Sequence, residues 1–283
     1  MAEIFDILFN VVSPIFLVFG FAILVGRTVN PDPRAVSSLL IYLFLPALAF
    51  RGMANVALDP NLAGIAIVSA LIHIIMAMLG YAVARWLRLD ARTTGAFVLS
   101  VMLINAANYG IPFNQFAFGL EGEQNAIVFW VVSVVVGNIA GVFFASQGSG
   151  GSLRQTIKNV LLVPITHSTL LGFFFIFSQW DVPLPLERSI DILANAGIPG
   201  MMTLLGLQLA RARLRGRLVP IFTAAGLRLL IAPLIAFGLS LALGMEGITL
   251  NVAVLESAMP TAVVATAFAL QFGSDSEFTT SVT

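Results

Sequence analysis

INAANYGIPFNQFAFG, residues Ile104–Gly119, lies inside a long apolar segment that begins near Gly95. Its middle is not what a membrane helix needs. Asn105, Asn108, Gly110, Pro112, Asn114 and Gln115 fall within eleven residues. In hydrocarbon an unpaired amide is costly, proline removes a backbone donor and crowds the preceding turn, and glycine loosens the backbone. The pattern predicts a helix broken at bilayer depth, which is tolerated where the break is buried in protein or lines a wet cavity. Transporters place substrate and ions at such breaks. The alternative is a kinked structural helix whose amides bond to neighbouring helices.

A second interrupted segment, VLESAMPTAVVATAFALQFG (Val254–Gly273), lies near the other end of the chain. Pro260 interrupts it, and Glu256 stands one turn earlier. Both segments end at a glycine followed by acid: Gly119 before Glu121 and Glu123, Gly273 before Asp275 and Glu277. Two interrupted spans at corresponding places in two halves point to an inverted-repeat transporter.

The chain has 283 residues, 59% hydrophobic and 10% charged, with a mean hydropathy of +0.99. Soluble proteins carry about 25% charged residues, so this composition describes an all-α polytopic membrane protein in a lipid bilayer. Net charge is zero, which gives no sign of a nucleic-acid partner. The absence of cysteine excludes thiolate metal sites and a cysteine nucleophile. No metal site and no cofactor is expected. An acidic N-terminus, MAEIFDILFN, is unlike a signal peptide, so the first apolar segment is expected to stay as a membrane helix.

With about 20 residues per span, nine spans are expected at about 5–26, 35–54, 62–86, 93–118, 124–147, 160–180, 188–210, 217–243 and 249–272. A tenth is expected to be absent or only begun at Glu277–Thr283. Eleven of the fourteen Arg and Lys residues fall in alternate loops: Arg27, Arg34, Arg85, Arg88, Arg92, Arg154, Lys158, Arg211, Arg213, Arg215 and Arg217. The positive-inside rule makes that side cytoplasmic and the N-terminus external. The opposite loops hold only Arg51 and Arg188, while Arg228 lies within span eight. The soft stretch SQGSGGS (Ser146–Ser152) divides the chain nearly in half. The expected organisation is a first inverted half over 1–147, a cytoplasmic linker over 148–158 and a second half over 159–283. Pro46 in span two matches Pro199 in span seven, and span four matches span nine.

The sequence resembles the auxin efflux carrier family, whose members include bacterial proteins and the plant PIN-type carriers. YLFLPALAF (Tyr42–Phe50) resembles the family's second helix, and NAANYGIP (Asn105–Pro112) its Asn…Gly-x-Pro crossover. LGLQL (Leu205–Leu209) resembles the end of its seventh helix, and AMPTAV (Ala258–Val263) its ninth-helix crossover. The resemblance implies a five-plus-five inverted repeat with crossed broken helices 4 and 9, similar to the bile-acid symporters. Helices 1, 2, 6 and 7 would form a scaffold, also the expected homodimer surface, and helices 3–5 and 8–10 a moving transport domain. It implies small organic anions as substrates: auxin in plants, malate- or malonate-like carboxylates in bacteria. There are departures. Ile104 replaces the plant carriers' proline, Ala107 replaces a glycine common in bacterial members, and Glu256 stands where many members are neutral. Glu256 is similar instead to the sodium-binding glutamate of the bile-acid symporters, whereas the plant carriers need no coupling ion.

The expected substrate site comprises Asn105, Asn108, Gly110, Pro112, Pro260 and Thr261. Half-helix N-termini would attract a carboxylate there, and the amides would add donors without fixed charge. Glu256 has two readings as an ion-coupling group. Ionised, it coordinates Na⁺; titrating, it carries H⁺. Held neutral by the bundle, it would be structural. Asn138 is the second candidate for the coupling site. Pro46 and Pro199 would line the substrate path on the scaffold. Arg228, about nine residues into span eight, is expected to snorkel to the interface, with a counter-charge role toward Glu256 as the alternative. His73 and His167 are read as packing or hydrogen-bonding residues, and Phe173–Phe177 as scaffold or lipid-facing packing. The leading function is a secondary carrier of small organic anions in the plasma (inner) membrane. A receptor or sensor on the carrier fold is the alternative. No HExxH, no GxSxG and no intramembrane aspartate pair supports an enzyme.

Overall fold

The structure is a computed structural model that describes residue 9 and residues 13–54, 60–145, 164–211, 217–271 and 273–283, without the side chains of 60–61, 138–145 and 271. The expected linker at 148–158, with Arg154 and Lys158, lies outside the described residues, as do Arg213, Arg215 and the side chain of Asn138.

Backbone donors and acceptors have no water to bond in a bilayer, so an apolar chain of this length satisfies them within helices. The helices are α1 (Ser13–Thr28), α2 (Pro33–Ala54), α3 (Pro60–Trp86), α4 (Ala91–Met102), α5 (Ile111–Ala145), α6 (Pro164–Ser178), α7 (Leu184–Leu209), α8 (Leu218–Ala242), α9 (Gly247–Ser257), α10 (Val264–Gln271) and α11 (Ser276–Val282). Among the described residues five stretches are long and apolar enough to cross a membrane: Pro33–Ala54, Leu62–Trp86, Ala106–Gly137, Leu184–Leu209 and Leu218–Ala242. The shorter apolar helices α1, α6 and α9 accompany them. Within α5, Gly119 takes φ 65° and ψ −149°, a region open essentially to glycine alone. It turns the chain between two helical legs.

Prolines explain the irregular turns. Among the described residues three complete π turns lie at Leu40–Phe44, Ala106–Gly110 and Leu227–Ile231. Each ends two residues before a proline: Pro46, Pro112 and Pro233. A proline ring collides with the carbonyl four residues back and offers it no N–H. Those carbonyls belong to Tyr42, Asn108 and Leu229, the central residues of the three π turns. Widening the turn by one residue moves each carbonyl off the ring and lets it bond to the residue after the proline.

The chain forms two compact units. The first contains Met1–Leu58, Ala107–Val131 and Leu161–Ala212. In it α2 packs against α6 and α7, and α7 against α1. Gly172 lets α6 approach closely, since a Cβ there would meet Met53 Cβ at 2.8 Å and the Phe50 carbonyl at 3.0 Å. Phe50 and Phe175 meet edge to face across the same contact, while Phe174 and Phe177 are exposed. The second unit contains Asp59–Ala106, Val132–Val160 and Arg213–Thr283. In it α3 packs on α4, α9 on α3 and α8, and both α10 and α11 on α4. Both units draw on both halves of the sequence.

Candidate substrate and ion site at the paired helix breaks

In the second unit, α4 stops at Met102 and α9 at Ser257. The residues that follow do not stay helical. They pair as a short antiparallel bridge between Ile104 and Thr261. The Asn105 N–H donates to the Pro260 carbonyl at 2.9 Å, and the Ala262 N–H to the Leu103 carbonyl at 2.9 Å. Two broken helices can sit in an apolar interior because each unwound strand supplies the partner's missing hydrogen bonds. The interruption in span four lies upstream of where its proline suggests. Pro112 lies within the helical run that starts at Ala106, where the π turn at Ala106–Gly110 takes up its missing N–H. Pro260 sits within the unwound strand itself.

The last carbonyls of a helix have no partner within it. Here side chains provide them. Thr261 Oγ1 donates to the Ser100 carbonyl at 2.6 Å. Arg228 donates through Nη1 to the Val101 carbonyl at 3.1 Å, and through Nη2 to the Ser257 carbonyl. The guanidinium thus bonds to the C-terminal ends of both α4 and α9, where two negative dipole ends meet. Arg228 is 1% exposed. It does not snorkel to the interface, as the sequence reading expected; it points inward from the π turn of α8. Its partners are backbone carbonyls, which carry no signature in a sequence.

Asn105 is 4% exposed, and its Nδ2 has no hydrogen-bond partner among the described residues. It is a buried donor beside the bridge. Glu256, fully buried, occupies the last turn of α9 next to Ser257. Thr261 is buried and Pro260 half-buried. His73 on α3 donates from Nδ1 to the Ser69 carbonyl at 2.7 Å and accepts at Nε2 from Ser133 Oγ at 2.8 Å. A carbonyl only accepts, so these contacts set the tautomer. Both nitrogens are occupied within the bundle, in line with a structural histidine.

The remaining site candidates belong to the first unit. Asn108 is half-buried at the centre of its π turn, and Gly110 and Pro112 are buried. Tyr109 meets Phe19 edge to face, with ring centroids 5.5 Å apart. Asn114 Nδ2 donates to the Gly110 carbonyl at 2.9 Å, so that amide serves its own helix. Pro46 is buried in α2, and Pro199 is exposed within α7. An ion pair that spacing did not reveal also lies here: Arg51 Nη2 to Glu123 Oε1 at 2.6 Å. Glu123 Oε2 accepts from Gln115 Nε2 at 2.6 Å, and Arg51 Nη1 donates to Asn195 Oδ1 at 2.6 Å. The one available signal was Arg51 itself, a cation on the basic-poor side of the charge alternation. Among the described residues no cluster of three His, Asp or Glu could hold a metal ion.

Comparison with known proteins agrees with this architecture. A family described as membrane transport protein matches residues 151–283. An uncharacterized transporter of Methanothermobacter thermautotrophicus is 29% identical over 243 residues, covering 85% of this chain and 80% of its own. An uncharacterized transporter of Methanocaldococcus jannaschii is 24% identical, covering 90% of this chain and 85% of its own. Auxin efflux carrier component 1 of Arabidopsis thaliana is 30% identical over 128 residues, covering 42% of this chain and 20% of its own. The chain is a multi-pass membrane protein whose relatives are transporters rather than enzymes, and auxin efflux carriers are among the proteins it is similar to.

Proposed function

We propose that this protein is a secondary carrier of small organic anions, with carboxylates as its substrate class, working by an elevator-type alternating-access cycle in the plasma membrane. The observation that carries the reading is the pair of unwound strands at Leu103–Asn105 and Pro260–Ala262, joined by hydrogen bonds and flanked by the buried Asn105 amide donor. A neutral donor set can bind an anion and still release it. Helix starts that follow the breaks add a favourable dipole. Asn105, Asn108, Gly110, Pro112, Pro260 and Thr261 are the proposed substrate residues.

Glu256 is the proposed coupling group, with Asn138 as its candidate helper. Of the two readings, the proton is favoured over Na⁺ by one feature. A sodium site at a break draws on unwound carbonyls, and the Val101 and Ser257 carbonyls already accept from Arg228. By resemblance, α2 and α7, with Pro46 and Pro199, belong to a scaffold that also forms a homodimer. The charge alternation orients the N-terminus outward. A screen of radiolabelled mono- and dicarboxylates in proteoliposomes, at varied Na⁺ and pH, tests the whole reading. Saturable carboxylate flux is expected. Ligand binding without flux under every gradient would sink the carrier and leave the receptor.

A further inference from the structure

Arg228 has more donors than the two helix ends use. A guanidinium carries five N–H groups. Nη1 donates to the Val101 carbonyl and Nη2 to the Ser257 carbonyl. Nε is buried and has no hydrogen-bond partner among the described residues. Nor does a carboxylate pair with the guanidinium among them. The Ser257 hydroxyl is in the same condition, fully buried and without a partner among the described residues. A serine in a helix can turn its hydroxyl back to the carbonyl one turn earlier, as Ser100 does to Ala96 at 2.8 Å. Ser257, the last residue of α9, leaves that bond unmade. Its own carbonyl takes Nη2, so its hydroxyl stands close to the guanidinium. Asn105 Nδ2 is the third buried donor without an acceptor, on the strand that pairs with Pro260. All three groups belong to the second unit. Buried donors left unmade are costly, and what they lack in common is an acceptor.

We propose that the Arg228 Nε–H and the Ser257 hydroxyl are substrate-binding groups, which together with the Asn105 amide take one carboxylate of the substrate. The proposal rests on the organic-anion carrier reading and adds to its amide donors a guanidinium from α8. A carboxylate is all acceptor, and its hydrogen bonds with a guanidinium are charge-assisted. The two carbonyl bonds fix the guanidinium in place before the anion arrives. They also temper its charge. Each helix C-terminus carries about half a negative charge, so the ends of α4 and α9 together offset the cation to about zero. The anion thus meets strong donors in surroundings of little net charge, where it can be bound and still released.

Ser257→Ala removes the hydroxyl, and Arg228→Lys keeps a charge without the Nε–H. The full chain in detergent is melted with increasing acetate, malonate or succinate, each against chloride at equal ionic strength, and Kd is taken from the rise in melting temperature. At least one of the three should stabilise the wild type beyond chloride. Ser257→Ala should melt with the wild type in chloride, because its hydroxyl bonds to nothing among the described residues. It should bind that carboxylate about tenfold more weakly, as for loss of one hydrogen bond to a charged group. Arg228→Lys should lose at least as much affinity. Ser240→Ala is the control. Its hydroxyl is also buried without a partner among the described residues, but it lies about three turns beyond Arg228 along α8, and carboxylate binding should not change. The site is overturned if no carboxylate exceeds chloride on the wild type, if Ser257→Ala keeps wild-type affinity, or if Ser240→Ala loses as much as Ser257→Ala. Should Arg228→Lys not fold, Ser257→Ala decides alone. Flux in proteoliposomes separates this site from the carrier reading. Wild-type KM in Ser257→Ala leaves the carrier and removes the site, whereas binding that Ser257→Ala weakens in a wild type that moves no carboxylate leaves the site and removes the carrier.

Discussion

Replacing Arg228 with methionine tests whether the guanidinium holds the two helix ends together. Methionine fills much of the same volume with no donor. Two hydrogen bonds to carbonyls are lost, from Nη1 to Val101 and from Nη2 to Ser257. At about 1.5–3 kcal/mol for each bond from a charged group, the gross loss is about 3–6 kcal/mol. Removing a buried cation also relieves its desolvation, which returns part of that sum. The residue of the two effects is destabilising, because the carbonyls at two converging helix C-termini stay buried and unpaired. A net loss of about 3 kcal/mol corresponds to a fall of about 6–12 °C in melting temperature at 2–4 °C per kcal/mol.

Arg228→Lys sharpens the test. Lysine keeps the charge but is a point donor with no fork to span two helices. It should fall between the wild type and Arg228→Met. A snorkelling arginine predicts something else, since lysine snorkels equally well. The assay is loss of monodisperse protein on heating in detergent, followed by size-exclusion chromatography. Arg228→Met protein that melts with wild type, or Arg228→Lys indistinguishable from wild type while Arg228→Met falls, would refute the bridging role.

Gly119→Ala should cost about 1–3 kcal/mol through backbone strain alone, because φ 65° with ψ −149° is a glycine conformation although a Cβ there would meet nothing within 4 Å; an alanine variant with unchanged thermal stability would show that space, not torsion, governs the turn. Asp90 caps α4 through the Arg92 and Thr93 amides, and the Thr93 hydroxyl bond holds its carboxyl below the usual carboxylate range. A lowered folded-state pKa means a stabilising contribution that is present above the ordinary carboxylate value and is lost as pH falls through the lowered one. Asp90→Ala should therefore cost about 1 kcal/mol at neutral pH and nothing in strong acid, as read from melting curves at several pH values. Asn105→Ala should weaken substrate binding by about 1.5–3 kcal/mol with little change in stability, since Asn105 Nδ2 bonds to nothing among the described residues; a drop in melting temperature with binding unchanged would assign the amide to the fold. Glu256→Gln should transport without the pH dependence of the wild type, and a variant with wild-type flux at every pH and Na⁺ concentration would remove Glu256 from coupling.

The all-helical membrane class was legible because membrane helices announce themselves by apolar length. The helix breaks were legible from polar and Pro/Gly content at a depth where neither belongs. Their exact positions were not. Pro112 looks like the break in span four, but the π turn at Ala106–Gly110 accommodates that proline within the helix, and the chain unwinds before it at Leu103–Asn105. The three π turns were in principle readable, since each is centred four residues before a proline. Pro199 shows the limit of that rule, because α7 carries it without a π turn.

The two arginines that matter most structurally were read as charge rather than as geometry. Arg51 was counted as an exception in the loops, and Arg228 as a cation near enough to an interface to escape. Sequence gives the depth of a side chain along its helix but not the direction of its reach. A guanidinium spans several ångströms either way, and the choice depends on which acceptors lie inside. For Arg228 they are carbonyls freed when two helices stop at Met102 and Ser257; for Arg51 they are the Glu123 carboxylate and the Asn195 amide, 72 and 144 positions away. A break in a helix therefore does two things at once. It opens donors toward a ligand, and it exposes carbonyl ends that require a positive charge. The first consequence can be seen in the residues of the break. The second appears only in another helix, as an arginine that an apolar interior would otherwise have no reason to hold.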